Sequence, residues 1–127
     1  MRVLVFEDDP DVSETIQSVL TAFYPGVEIL HLADGVGFRK GGWKRGPWDL
    51  VLLDLMLPGV TGFEICEAIR GNAETQKVPV VALTGYDTLQ NEEKIKASGA
   101  TGYLAKPFEV PGFLKEVERF LGKPNGL

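Results

Sequence analysis

RVLVFEDDP, Arg2 to Pro10, is the stretch on which the reading of the chain turns. Val3 to Phe6 are apolar on consecutive positions, as in a strand buried on both faces rather than one. Asp9-Pro10 then reads as a helix N-cap followed by proline at the first helical position, where a missing N–H costs nothing. Such a strand needs parallel neighbours and helices on both faces of the sheet. Glu7 and Asp8 stand between strand and helix, so the question becomes what the other strands carry at the same place.

The rest of the chain repeats the alternation. Val12, Ile16, Val19, Leu20 and Phe23 recur at helical spacing until Pro25-Gly26 stops them. Val27–Leu32 predicts a second strand and Leu50–Leu53 a third. Pro58-Gly59 predicts a turn, and Thr61 caps a helix carrying Phe63, Ile65, Cys66 and Ile69. Val78–Leu83 predicts a fourth strand, with its proline at the entry. A weakly marked helix over Leu89–Ala97 leads to a fifth strand, Tyr103–Ala105. After Pro107 a last helix places Phe113, Leu114, Val117, Phe120 and Leu121 on one face. Five strands alternating with helices predict one α/β domain with a parallel sheet covered on both sides.

Composition agrees with that class and excludes others. The chain has 127 residues, 44% hydrophobic and 24% charged, enough for a core without metal or disulfide staples. Its one cysteine, Cys66, fits a reducing compartment and, by its spacing, a core position. No apolar run is long enough to span a membrane, and the N-terminus lacks the pattern of a signal peptide, so a cytoplasmic location is expected. Net charge is −5; Arg39, Lys40, Lys44 and Arg45 against Asp34 give residues 34–48 a charge of +3 and leave −8 on the remainder. An acidic body argues against nucleic-acid binding by the domain alone.

In a doubly wound sheet, ligands bind beyond the carboxyl ends of the strands. There the sequence places Glu7-Asp8 after the first strand, Asp54 after the third, Thr84 after the fourth and Lys106 after the fifth. Asp9 is read as the helix cap only. Two carboxylates about 4 Å apart repel by about 4 kcal/mol at an effective dielectric near 20. Glu7, Asp8 and Asp54 together therefore call for a proton or a cation. Carboxylates with no histidine or cysteine suit Mg²⁺ and not zinc. An ammonium and a hydroxyl beside them are partners for phosphoryl oxygens.

At these residues the sequence resembles the receiver domain of two-component response regulators, of the chemotaxis-regulator kind. VFEDDP, LLDLMLPGVTG, ALTGY and GYLAKPF carry the resemblance, in order and over nearly the whole chain. It implies a receiver domain over residues 1–127 with a flavodoxin-like five-stranded sheet of order 2-1-3-4-5. Asp54 would be the phosphoacceptor, charged by a sensor histidine kinase or a histidine phosphotransfer protein. Asp8 and Asp54 would bind Mg²⁺, with Glu7 acting mainly through water and the Met56 backbone carbonyl as a further ligand. Lys106 would pair with Asp54 and later with the phosphoryl group. Thr84 would bond the phosphoryl group, Gly85 would leave room for it, and Tyr103 would turn inward as Thr84 moves. The Lys106–Pro107 peptide would be cis. Such a domain catalyses only its own phosphorylation and dephosphorylation; bulky Met56 and Tyr86 predict a slow loss of the phosphoryl group. The partner or output domain that it signals to is not named by the sequence. The chain ends at KPNGL, as expected of a stand-alone regulator or of a receiver cut from a larger one.

One passage departs from that pattern. ADGVGFRKGGWKRGPWD, Ala33 to Asp49, fills the slot of the second helix with five glycines, each costing up to about 1 kcal/mol of helix stability relative to alanine. A Gly-rich loop, or one short distorted turn, is expected there. Phe38, Trp43 and Trp48 are expected to fill the gap, with the basic residues in solvent. The passage lacks both the dinucleotide fingerprint and the GK[ST] ending of a triphosphate loop. The alternative reading of the whole chain is a phosphorylation-independent interaction module with a nucleotide- or protein-binding basic loop at 38–48. A small-molecule phosphatase would need an acid two residues past the nucleophile, where Met56 stands. His31 is read as an ordinary strand residue.

Overall fold

The computed structural model of the protein describes residues 1–85 and 89–124. In chain order these form β1 (Arg2–Phe6), α1 (Pro10–Phe23), β2 (Glu28–Leu32), α2 (Gly35–Lys40), a 3₁₀ turn (Gly42–Lys44) and β3 (Leu50–Asp54). Then come β4 (Met56–Leu57), β5 (Val60–Thr61), α3 (Gly62–Arg70), β6 (Val80–Thr84), α4 (Leu89–Ala97), β7 (Gly102–Ala105) and α5 (Val110–Leu121). The large sheet has the order β2-β1-β3-β6-β7, with every neighbouring pair parallel. Counting only these five strands, that is the expected 2-1-3-4-5. β4 and β5 make a separate antiparallel hairpin around the Pro58-Gly59 turn. Tyr86 and the Leu89 side chain lie outside the described residues.

The central strands are apolar on both faces because both faces are covered. Leu4, Phe6, Val51, Leu53, Val80 and Ala82 pack towards α3 and α4 with Ile65, Cys66, Ile69 and Ile95. Val3, Val5, Leu50, Leu52, Val81 and Leu83 pack towards α1 and α5 with Ile16, Leu20, Phe113 and Val117. The helix ends follow the local chemistry. Asp9 Oδ1 accepts from the N–H groups of Asp11 at 2.9 Å and Val12 at 3.3 Å, so its capping role holds. Thr61 and Glu64 form a reciprocal capping box at the start of α3. Cys66 is fully buried, and burial pushes its thiol pKa up.

The second-helix slot corrects the expectation of a loop. Six residues, GVGFRK, are helical, and the 3₁₀ turn comes next. Intrinsic propensity is overridden by ends and packing. Asp34 caps the helix by accepting from Gly37 N–H at 2.9 Å. Gly35 donates to Pro58 O at 2.8 Å, and a Cβ on it would meet the Gly59 backbone at 3.0 Å, so only glycine lets α2 approach the β4–β5 turn. Gly41, at φ 76°, ends the helix in the left-handed conformation that glycine takes without strain.

The aromatic residues do fill the gap. Trp43 is 2% and Trp48 7% exposed. Phe38 stacks on Trp43 with ring centres 5.4 Å apart and meets Phe6 edge-on at 6.2 Å. Each indole N–H has a carbonyl: Trp43 donates to Phe38 O and Trp48 to Trp43 O, both at 2.8 Å. Arg39, Lys40, Lys44 and Arg45 are all exposed, as expected, although Arg39 also donates to Gly59 O at 2.7 Å.

Candidate functional site

Strand parity decides which side chains meet. Glu7 lies two positions beyond Val5, Asp54 two beyond Leu52, and Lys106 two beyond Leu104, all on the α1/α5 side of the sheet. Lys106 Nζ bridges two of the acids, 2.6 Å from Glu7 Oε1 and 3.1 Å from Asp54 Oδ2. The backbone fixes both ends of this contact. Met56 N–H donates to Asp54 Oδ1 at 3.1 Å, and Lys106 N–H donates to Thr84 O at 2.7 Å. The Lys106–Pro107 peptide is cis, as expected. Asp8 completes the acidic group: one oxygen each from Glu7, Asp8 and Asp54 lies within 4.8 Å of the others.

The shorter lysine contact goes to Glu7, a pairing that spacing alone does not indicate. Glu7 is fully buried, and its Oε2 receives no hydrogen bond among the described residues. Burial, then hydrogen bonding to Asp54, pushes the Glu7 pKa up to about 8. Burial also raises the pKa of the exposed Asp8, with the Asp54 charge adding to it. For Lys106 burial opposes charging, but the hydrogen bond to Glu7 and the Asp54 charge outweigh it and the pKa rises. The cluster thus favours a charged Lys106 beside a Glu7 carboxyl that gives up its proton less readily than usual. An orphaned buried carboxyl oxygen among three carboxylates is a place for a proton or a hard divalent cation, and the oxygen-only donor set fits Mg²⁺.

Thr84 and Tyr103 sit on the other side of the sheet. Thr84 is 1% exposed and shares the Ala82 face of β6; Tyr103 pairs with Ala82 across β6 and β7 and packs, half-buried, on the same core. The four strand ends thus bring Glu7, Asp8, Asp54 and Lys106 into one cluster, with Thr84 adjoining it through its carbonyl. Met56 places its N–H on the cluster and leaves its side chain exposed. A crevice of about 480 Å³ opens on Lys106, lined also by Asp9, Val12, Gly85 and Phe108. His31, expected to be an ordinary strand residue, is in contact with the Glu7 backbone: its Nε2 lies 2.7 Å from Glu7 O. The signal for this lies in parity, since His31 pairs with Val5 and so faces α1.

Known proteins share the fold. Residues 3–118 match the family described as the response regulator receiver domain. The DNA-binding dual master transcriptional regulator RpaA of Synechocystis sp. is 35% identical over 124 residues, covering 98% of this chain and 50% of that protein. The chain thus spans half the length of that relative. The polar-differentiation response regulator DivK of Brucella ovis is 35% identical over 120 residues, covering 94% of this chain and 95% of DivK. The receiver domain of the sensor histidine kinase PA1611 of Pseudomonas aeruginosa PAO1, solved with a magnesium ion coordinated in its active-site cleft, has a TM-score of 0.81 at 28% identity, over 96% of this chain and 98% of its own. The chain belongs to the response regulator receiver domain family. Receiver domains are phosphoacceptor switches that work with histidine kinases and output domains.

Proposed function

We propose that the domain, over residues 1–127, receives a phosphoryl group on Asp54 and changes its surface in response. The observation that carries this reading is the Lys106 ammonium held between Glu7 and Asp54, at 2.6 and 3.1 Å, beside the exposed Asp8. Mg²⁺ would be held by Asp8 and Asp54, by Glu7 through water and by the Met56 carbonyl; bound there it would neutralise charge on the transferring group. An Asp54 carboxylate oxygen forms the O–P bond while the P–N bond of a phosphohistidine breaks. The departing imidazole keeps the electron pair of that bond. Lys106, already placed on Asp54, then pairs with the phosphoryl oxygens. The donor is a sensor histidine kinase or a histidine phosphotransfer protein, reached through the crevice that opens on Lys106, in the cytoplasm.

Signalling depends on the opposite face. The Thr84 hydroxyl moves to the phosphoryl group, and half-buried Tyr103 turns into the space left, altering the α4–β7 surface offered to an output partner. The domain catalyses only its own phosphorylation and its slow reversal. Incubation with a small phosphodonor and Mg²⁺ should add one phosphoryl group by intact mass, absent in Asp54→Asn. An unchanged adduct in that variant, or none in the wild type, rejects the reading. Neutralising Lys40, Lys44 and Arg45, which stand away from the cluster, should leave adduct formation unchanged within about twofold and stability within about 0.5 kcal/mol. Loss of the adduct in that triple variant would instead tie the basic segment to the chemistry.

A further inference from the structure

His31 has no part in the phosphoryl transfer, yet its ring ends on the backbone of the acidic pair. β1 and β2 run in register as far as Glu7, whose N–H donates to Leu32 O at 3.1 Å. Just beyond, the neighbouring chain has turned away, because Asp34 caps α2. The Glu7 carbonyl takes its hydrogen bond from the His31 side chain, with Nε2 at 2.7 Å. Ser13, buried on α1, stands behind the ring with Oγ 3.1 Å from Nε2 and 3.4 Å from Nδ1. Gln17 Nε2 donates to that same oxygen at 2.9 Å. A carbonyl oxygen only accepts, so in this contact the ring carries a proton on Nε2.

Resting on the reading of Glu7 and Asp8 as holders of Mg²⁺, we propose that His31 is a positioning residue for the cation site. By donating to the Glu7 carbonyl it fixes the peptide joining Glu7 to Asp8, and so sets the place from which the Asp8 carboxylate meets the ion. Glu7 has its buried side chain and the Lys106 contact to hold it. Asp8 is exposed and depends on its backbone for placement. Groups that orient metal-binding residues without touching the metal commonly carry about 10- to 100-fold in affinity. Ser13, itself held by Gln17, backs the ring from α1.

The test is a calorimetric Mg²⁺ titration of the full chain as wild type, His31→Ala and His31→Gln, alongside urea unfolding. His31→Ala is expected to bind Mg²⁺ about tenfold more weakly. His31→Gln, whose terminal amide also carries a donor, should recover most of that loss. A purely structural role would move the urea midpoint and leave the affinity alone. Equal affinity in His31→Ala and wild type overturns the inference and leaves the cation site standing, as does a His31→Gln variant no better than His31→Ala. A wild type that binds no Mg²⁺ removes both. Should His31→Ala fail to fold, the metal-free wild type still decides. Its nitrogen-correlated proton spectrum should show a His31 proton on Nε2, and a ring protonated at Nδ1 alone overturns the inference.

Discussion

Trp43→Ala is expected to destabilise the protein by about 3–5 kcal/mol, read as a drop in the urea midpoint at unchanged slope. The size reflects the space that the indole fills. α2 is six residues long, too short to cover the β1–β3 side of the sheet by itself, and Trp43 is among the largest side chains that are almost fully buried. Its removal opens a cavity beside Phe38 and takes from the Phe38 carbonyl one of its two donors, the other being Gly41 N–H. Trp43→Phe separates the two losses. It keeps most of the stack and loses only the indole's hydrogen bond, while Gly41 N–H still donates to the carbonyl, so a cost nearer about 0.5–1.5 kcal/mol is expected. A Trp43→Ala cost under about 1 kcal/mol, well short of the usual large-to-small penalty, would mean that the helix, and not the indole, closes this side of the core.

The same segment shows why sequence reading stops where it does. Glycine content predicts the loss of a helix when each residue is scored alone. It does not register that Asp34 caps the segment, that Gly35 is pressed against Gly59, or that Gly41 is the terminator of the helix. The first and last are local end signals and the second is tertiary; together they turn a glycine-rich run into one short, well-ended helix. The aromatic packing was legible because indole rings have few alternatives to burial. The strands and the strand-end residues were legible for a similar reason. Runs apolar on consecutive positions fit a sheet covered on both sides, and such a sheet brings the residues after each run to one edge. Pairing within that edge stayed hidden. That Lys106 lies closer to Glu7 than to Asp54 depends on a few tenths of an ångström of side-chain geometry, which no spacing encodes. His31 was hidden differently, since its partner is a carbonyl, a group every residue carries.

Glu7→Gln is expected to remove a pH dependence of stability that the wild type shows between about pH 5 and pH 8 in Mg²⁺-free buffer. Glu7 is raised from an ordinary 4.5 to about 8, by burial first and hydrogen bonding to Asp54 second. Between those values the folded protein holds a proton that the unfolded chain has released. Unfolding then loses protons, so stability falls as pH rises, by at most about 1.4 kcal/mol per pH unit for one group. The contribution is fully present below the ordinary value and lost through the raised one. A glutamine carries no such proton, and it can still donate to Asp54. The variant should therefore match the wild type near pH 5 and exceed it near pH 8. Mg²⁺ reverses the trend in the wild type, because a cation that binds only the folded chain stabilises it, and does so most where Glu7 is least protonated. Urea midpoints at several pH values, with chelator and with Mg²⁺, measure each part. A difference between wild type and variant that stays constant from about pH 5 to pH 8 would show that the buried carboxyl is ionised throughout, with Lys106 alone compensating the acidic cluster.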